Sequence, residues 1–224
     1  VRTPFADTSL YHLPEGLNED VAVFLSDILP TSHEIGVQYG DVKPGDNVVI
    51  VGAGPIGMSC LLTAQFYSPA NIIMVDVDDN RLEFAKTVGA THSINSAKED
   101  AIQRVLELTD GRGVDCAIEA VGLEATWNIC QHVVKEGGHI ANVGVHGKSV
   151  NFELNKLWIK NLTITTGLVN ANTTAMLLKT CCSGKLPLEK LATHHFKFNE
   201  FEKAYDVFKH AADEKALKVM IELN

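Results

Sequence analysis

The residues best able to do chemistry in this chain form a glycine-rich turn that is followed by one acidic residue. An apolar run from Asn47 to Val51 leads directly into Gly52-Ala53-Gly54-Pro55-Ile56-Gly57, and a second apolar run ends at Asp76. This order fits the G-x-G-x-x-G fingerprint between two strands, with the acid nineteen positions after the last glycine. The sequence therefore predicts a dinucleotide-binding turn, and a plain glycine-rich turn in an ordinary α/β protein is the alternative.

Each part of this fingerprint has a physical role. Gly52 permits the tight turn, Gly54 lets the backbone approach a pyrophosphate, and Gly57 lets the following helix pack close to the strand. The free N–H groups at the helix N-terminus attract phosphate. Asp76 can accept hydrogen bonds from a ribose diol and would repel a 2′-phosphate, so the expected cofactor is NAD rather than NADP.

Composition narrows the class of protein. The chain has 224 residues, 46% of them hydrophobic and 21% charged, which is normal for a soluble globular protein. No apolar run approaches the roughly 20 residues that cross a bilayer, and a formal net charge of −9 disfavours a nucleic-acid surface. The five cysteines form no C-x-x-C pair, and no signal peptide is visible, so we expect reduced thiols and a cytoplasmic protein without nucleic-acid or membrane partners.

Apolar runs and helical patterns alternate through the middle of the chain. Strands are predicted at 47–52, 72–76, 114–119 and 139–143, with a short one near 93–94, and helices at 55–67, 80–88, 98–109 and 124–135. These strands are nearly all apolar, which fits strands buried on both faces of a parallel sheet. We therefore expect an α/β fold with a doubly wound parallel (Rossmann) sheet. Less regular segments flank it, with helices predicted at 19–29, 32–39, 151–159, 173–182 and 199–210 and strands at 162–166 and 218–223.

Several short motifs follow one another in a set order. They are Asp27-Ile28-Leu29-Pro30-Thr31, Val42-Lys43-Pro44-Gly45-Asp46, the glycine turn, Arg81-Leu82-Glu83-Phe84-Ala85, Glu119-Ala120-Val121-Gly122, Gly137-Gly138 and Lys218-Val219-Met220-Ile221. Together they resemble the medium-chain dehydrogenases, and within them the zinc-dependent alcohol dehydrogenases. The resemblance covers the later two-thirds of such an enzyme. It implies that residues 1–27 end a GroES-like catalytic domain, 28–168 form the dinucleotide-binding domain, and 169–224 return to pack on the catalytic domain.

The resemblance extends the cofactor site beyond the glycines and Asp76. It places Ile56 behind the nicotinamide, and it assigns two later loops and a C-terminal lysine to the same site. The residues that it adds to the cofactor site are Pro55, Ile56, Arg81, Val121, Gly122, Val143, Gly144, Val145 and Lys218. Ordinary strand packing is the alternative for Val121 and Val143, and a solvated C-terminal lysine is the alternative for Lys218.

Asp27 is the candidate for metal binding and catalysis. One branch of the family binds its catalytic zinc through Cys, His and an acidic residue, and the acid sits before a Thr-containing helix, as Asp27 does. The resemblance implies that Asp27 ligates zinc and that Thr31 lies near the nicotinamide. The Cys and His-Glu ligands precede this point in the family and are not in this chain. Neither His33-Glu34 nor His194-His195 has the spacing to replace them.

Two functions follow, from different classes. The resemblance implies an NAD-dependent, zinc-assisted hydride transfer between a small alcohol and its aldehyde or ketone, in which zinc lowers the pKa of the alcohol. The alternative is a module or fragment that binds NAD and catalyses nothing. A zinc-free quinone reductase relative is disfavoured by Asp76, and a methyltransferase is disfavoured by the segments after residue 137. The apolar strand at 162–168 would be a sheet edge, which predicts a homodimer or homotetramer.

Overall fold

The chain forms alternating helices and strands, seen in a computed structural model that describes residues 2–223. The strands are β1 (Asn47–Val51), β2 (Asn71–Asp76), β3 (His92–Asn95), β4 (Val114–Glu119), β5 (Val134–Asn142), β6 (Thr163–Thr166), β7 (Ala192–Lys197) and β8 (Lys218–Glu222). The α-helices are α1 (Ala6–Ser9), α2 (Glu19–Phe24), α3 (Ile28–Thr31), α4 (Pro55–Ala64), α5 (Asp79–Thr87), α6 (Ala101–Leu108), α7 (Glu124–Val133), α8 (Leu154–Leu157), α9 (Thr174–Cys182) and α10 (Phe201–Lys209). A π-helix, Ser32–Gln38, continues directly from α3.

Six of these strands build one parallel sheet in the order β3-β2-β1-β4-β5-β6. Val51 at the end of β1 pairs with Val75 on one side and Glu119 on the other, so the carboxyl ends of the central strands meet at one edge. The apolar residues Val48 to Val51 of β1 and Ile72 to Val75 of β2 are buried because apolar clusters cover both faces of the sheet. The doubly wound fold predicted from strand and helix alternation is confirmed.

The helix predicted over 19–29 is interrupted in the structure. It divides into α2 and α3, and the backbone of Asp27 leaves helical geometry between them, at φ −157° and ψ −64°. Pro30 supplies the physical reason, because its nitrogen carries no hydrogen for the carbonyl four residues earlier. Proline is tolerated within the first turn of a new helix, and α3 begins two residues before it.

The Gly137-Gly138 motif lies inside β5. Val114 of β4 pairs with Val134, whereas Cys116 pairs with His139, so β5 carries extra residues at this point. Gly137 takes a positive φ of +70° there. These residues therefore form a bulge within the strand, and the strand begins earlier than the predicted 139–143.

The C-terminal segment forms a separate small parallel sheet of β7 and β8, flanked by α10. One side of this unit is open, because Phe201, Tyr205 and Phe208 on α10 are all exposed. No helix within residues 2–223 is both long enough and apolar enough to cross a membrane. All five cysteines are free thiols, and Cys182 is the exposed one.

Candidate functional site

The sequence-predicted cofactor residues, except Lys218, gather at the carboxyl edge of the six-stranded sheet. The glycine turn follows β1, Asp76 ends β2, Val121 and Gly122 follow β4, and the segment from Val143 to Val145 follows β5. In open parallel sheets, ligands bind outside the carboxyl ends of the strands. The structure therefore brings these residues to the edge where a nucleotide would lie.

The glycines of the turn are required by backbone geometry. Gly52 has a φ of +110°, and a methyl group placed on it would lie 2.5 Å from Val121 Cγ2. A methyl group on Gly57 would overlap the carbonyl oxygen of Gly52, because α4 starts directly against β1. Gly54 is different: its only near neighbour is the Arg81 guanidinium, at 3.9 Å. The space beside Gly54 is thus open to a ligand.

The first turn of α4 is left without a side-chain cap. Gly54 occupies the capping position and Pro55 the first helical position, so neither supplies a side-chain acceptor to the N–H groups that follow. Uncapped N–H groups at a helix N-terminus attract anions, above all phosphate. This arrangement fits a pyrophosphate between Gly54 and the start of α4.

Asp76 is tied directly to the glycine turn. Its Oδ2 accepts a hydrogen bond of 2.6 Å from the Ala53 N–H, and its Oδ1 accepts from the N–H groups of Val77 and Asp78. Asp78 in turn caps α5 by accepting from the Asn80 and Arg81 N–H groups. The carboxylate is therefore fixed beside the turn, where a ribose diol attached to a bound pyrophosphate would reach it.

The loops after β4 and β5 touch each other. A methyl group on Gly122 would collide with the carbonyl group of Val145, and one on Gly144 would collide with the Glu119 carboxylate and the Gly122 N–H. Val121 is 42% exposed and Val145 is 90% exposed, so both present apolar side chains to solvent at this edge. Val143 instead packs against the core, as does Ile56 in α4.

Glu119 organises both loops, and sequence reasoning gave it no role. Its side chain is fully buried, and Oε1 accepts hydrogen bonds from the Val121 and Gly122 N–H groups and from the Thr126 hydroxyl. Its backbone carbonyl accepts from the N–H groups of Val143 and Gly144. The available signal was an ionisable residue directly after the apolar run Cys116-Ala117-Ile118.

Asp27 and Thr31 lie in contact with each other, but the described residues do not complete a metal site around them. The Thr31 hydroxyl donates to Asp27 Oδ1 at 2.8 Å, and Asp27 is exposed. Within residues 2–223, no cluster of three or more His, Cys, Asp or Glu side chains could hold a metal ion. One carboxylate does not provide the three protein ligands that a catalytic zinc needs. The part of the chain that the structure describes therefore does not fit zinc by itself.

The alternative ligands considered above, His33-Glu34 and His194-His195, have other partners than Asp27. His33 is buried against the rings of Phe66 and Tyr67, while the Glu34 carboxylate bonds to a later loop. His195 Nε2 lies 2.8 Å from Asp20 Oδ2, at the start of α2. Neither pair replaces the zinc ligands of the resembled family.

Lys218 does not join the cofactor edge through any contact that the structure describes. It begins β8 and pairs with Ala192 of β7, in the small sheet. Across residues 2–223 its ammonium group makes no ion pair with another side chain and no hydrogen bond. Its assignment to the pyrophosphate stays a prediction from the resemblance.

Comparisons with known proteins decide the family. Residues 55–181 match the family model described as zinc-binding dehydrogenase, and these residues include the glycine turn from Pro55 onward, Asp76 and the loops after β4 and β5. The chain belongs to the zinc-binding dehydrogenase family. The resemblance to zinc-dependent alcohol dehydrogenases is confirmed.

Individual relatives agree with this assignment. An alcohol dehydrogenase of Cupriavidus necator is 32% identical over 99% of this chain and 61% of its own length. The apo structure of zinc-dependent alcohol dehydrogenase 2 from Streptococcus pneumoniae is 55% identical, with a TM-score of 0.94, over 100% of this chain and 65% of that one. Alcohol dehydrogenase TADH from Thermus sp. ATN1 is 34% identical, with a TM-score of 0.92, over 99% of this chain and 63% of that one. The chain thus spans less than two-thirds of the length of these relatives.

Proposed function

We propose that this chain binds NAD at the carboxyl edge of its sheet and supplies the cofactor domain of an alcohol dehydrogenase. The observation that carries the proposal is the 2.6 Å hydrogen bond from the Ala53 N–H to Asp76 Oδ2. It fixes a ribose-binding carboxylate next to a turn whose open glycine, Gly54, faces an uncapped helix N-terminus. Adenosine ribose and pyrophosphate then occupy adjacent places on the same edge.

The nicotinamide half of the cofactor would lie further along this edge, toward the loops after β4 and β5. Exposed Val121 and Val145 offer apolar contacts there, and Ile56 supports the cofactor from α4. The bound cofactor supplies the hydride chemistry, and these residues orient the ring and exclude water from it. Hydride transfer to or from a small alcohol or carbonyl compound is the reaction we infer for the whole enzyme, because the relatives are described as alcohol dehydrogenases.

Zinc enters this proposal through Asp27, together with ligands that residues 2–223 do not supply. We infer that Asp27, with Thr31 hydrogen-bonded to it, contributes one ligand to a zinc site in the whole enzyme. The absence of a three-ligand cluster within residues 2–223 supports a second statement: the chain alone binds the cofactor but does not turn over substrate. Elemental analysis that finds one tightly bound zinc per chain would contradict it.

We also propose limits for the domains and an oligomeric state. Residues 1–27 and 169–224 would pack with a catalytic domain, and the exposed aromatic face of α10 supports this for the second segment. β6 pairs with β5 alone among residues 2–223, and its outward side is exposed. An unpaired edge of this kind favours association with a second copy, so we propose a homodimer or a dimer of dimers.

The test of the cofactor proposal is a titration of the chain with NADH and NADPH, followed by tryptophan quenching or calorimetry. Wild type should prefer NADH. Asp76→Ser should weaken NADH binding by about tenfold or more, because a charge-assisted pair of hydrogen bonds contributes about 1.5–3 kcal/mol, and should relax discrimination against NADPH. Asp213→Ser, at an exposed position in the loop before β8, is the matched control and should change neither affinity. Unchanged relative affinities in the Asp76 variant would remove that residue from cofactor selection.

A further inference from the structure

The loop that joins β6 to α9 is held by a single buried carboxylate from a distant part of the chain. Glu34 lies in the π-helix, is 5% exposed, and reaches the loop from more than 130 positions earlier in sequence. Its Oε1 accepts from the Thr173 N–H at 2.8 Å and from the Thr173 hydroxyl at 2.7 Å. Its Oε2 accepts from the N–H groups of Asn170 and Ala171, both at 3.1 Å.

This loop, residues 167–173, needs such support. Ala171 has a φ of +57°, a left-handed conformation that costs a residue with a Cβ about 1 kcal/mol or more. Leu168 is 88% exposed, so the outer part of the loop gains little from burial. Four hydrogen bonds to one carboxylate are therefore the main interaction that fixes the loop backbone. Burial alone would raise the pKa of Glu34, but the bonds from Thr173, Asn170 and Ala171 outweigh it and hold that pKa below its usual value.

The same loop lies at the cofactor edge. It leaves the carboxyl end of β6, which is the neighbour of β5, and the segment from Val143 to Val145 leaves the carboxyl end of β5. The π-helix and Tyr39, which follows it, lie against these two segments. A methyl group placed on Gly36 would lie 3.4 Å from Val143 Cγ2, and one placed on Gly167 would lie 3.1 Å from the Tyr39 ring. Residues 167–169 thus border the place assigned above to the nicotinamide, on the side away from Asp76.

We propose that Glu34 is a positioning residue for the nicotinamide half of the cofactor, acting through the 167–173 loop. The inference rests on the proposed function, since it assumes that NAD binds at this edge. With the carboxylate in place, the loop occupies one conformation and presents residues 167–169 to the ring. Without it, the loop samples other conformations. The apparent Kd for a ligand that needs the loop then equals the intrinsic Kd divided by the fraction of molecules in which the loop is correctly placed.

The structure allows a test with two ligands that share one half. NADH carries adenosine, pyrophosphate and nicotinamide, whereas ADP-ribose lacks the nicotinamide ring and depends on the glycine turn and Asp76. Glu34→Gln should raise the Kd for NADH about three- to tenfold and leave the Kd for ADP-ribose unchanged. Thr173→Ala, which removes one donor and keeps the backbone bonds, should give a smaller shift in the same direction. Glu107→Gln, at an exposed carboxylate on α6, is the matched control and should change neither Kd.

The outcomes separate the two proposals. Wild type that binds neither ligand would remove the proposed function, and this inference with it. Wild type that binds both, together with a Glu34→Gln variant whose two Kd values are unchanged or rise equally, would leave the cofactor site standing and overturn the role of Glu34. Amide hydrogen exchange provides a second readout: the N–H groups of Asn170, Ala171 and Thr173 should lose protection in Glu34→Gln while those of β1 keep it. Retained protection at the three amides would likewise overturn the inference.

Discussion

Replacing His33 by phenylalanine should stabilise the chain. The His33 ring is 1% exposed, and neither of its nitrogens has a hydrogen-bond partner among residues 2–223. Its neighbours are aromatic: the Tyr67 ring stacks on it at 5.9 Å and the Phe66 ring lies tilted at 5.7 Å. A phenylalanine ring keeps those contacts and removes two buried polar atoms that gain nothing in the folded state.

The expected gain follows from the cost of burying an unsatisfied polar group, about 1–3 kcal/mol for each. Phenylalanine is slightly larger than histidine, and some of the gain is lost to repacking. We expect a net increase of about 1–3 kcal/mol in the free energy of unfolding. In a chain of 224 residues this raises Tm by roughly 2–4 °C for each kcal/mol.

The pH dependence of the free energy of unfolding provides a second test of the His33→Phe prediction. Burial lowers the pKa of His33 below its usual 6.5, with Glu34 opposing the shift more weakly. The unfolded chain therefore binds a proton below about pH 6.5 that the folded chain binds only at lower pH, and stability falls as pH drops through this window. His33→Phe removes that loss, so its advantage over wild type should be larger at pH 5.5 than at pH 8.

Urea unfolding followed by tryptophan fluorescence at the two pH values measures both effects. Subtracting wild type from the variant cancels the other histidines, which titrate in both proteins. His12→Phe is the control, because His12 is exposed and its replacement should leave stability unchanged at either pH. A His33→Phe protein that is less stable than wild type at pH 8, or whose advantage does not grow on acidification, would refute the argument that the ring is buried without a partner.

Two further predictions concern the cofactor turn and the sheet edge. Gly57→Ala should destabilise the chain by about 1–3 kcal/mol or more and weaken NADH binding, because its methyl group overlaps the Gly52 carbonyl. The control is Gly147→Ala, whose methyl group meets nothing within 4 Å and should have neither effect. Equal destabilisation of the two variants in urea unfolding would contradict the packing argument. Ile164→Lys places a charge on the exposed face of β6 and should shift a dimer toward monomer in sedimentation at micromolar concentration. The control Met176→Lys, at an exposed position on α9, should cause no such shift. A wild-type chain that is strictly monomeric at this concentration would count against the dimer.

The central sheet was predictable because its strands carry a simple, local signal. Val48 to Val51 and Ile72 to Val75 are apolar throughout, since a central parallel strand is covered on both faces, and the glycine turn marks where the first helix starts. The interruption of the first long helix was predictable in principle from Pro30, but apolar spacing at Val21, Phe24, Leu25 and Ile28 continues across it. Periodicity reports which face is buried, and it does not report a break that leaves the face unchanged.

The residues that organise the site carry no such local signal. Glu119 bonds to groups two to seven positions away, but Glu34 bonds to residues more than 130 positions later, and nothing in either segment indicates the other. The role of Lys218 stays a prediction: a motif resemblance assigns it a contact with the cofactor, and the described contacts place it in the small sheet. Long-range hydrogen bonds between side chains and loop backbone are set by the completed fold, and sequence spacing does not encode them.

The carboxyl edge of the sheet is organised by three carboxylates whose partners are mainly backbone N–H groups. Asp76 holds the turn after β1, Glu119 holds the loop after β4, and Glu34 holds the loop after β6. A carboxylate taken out of water is costly unless hydrogen bonds replace its hydration, and N–H groups of irregular loops are costly unless an acceptor replaces theirs. Each carboxylate supplies an acceptor to N–H groups of a loop, and in Asp76 and Glu34 both oxygens accept hydrogen bonds. The loops that would contact a cofactor are therefore ordered by the chain itself before any ligand arrives. This ordering reduces the entropy lost on binding, which is why we expect the 224 residues to bind NAD without the rest of an enzyme.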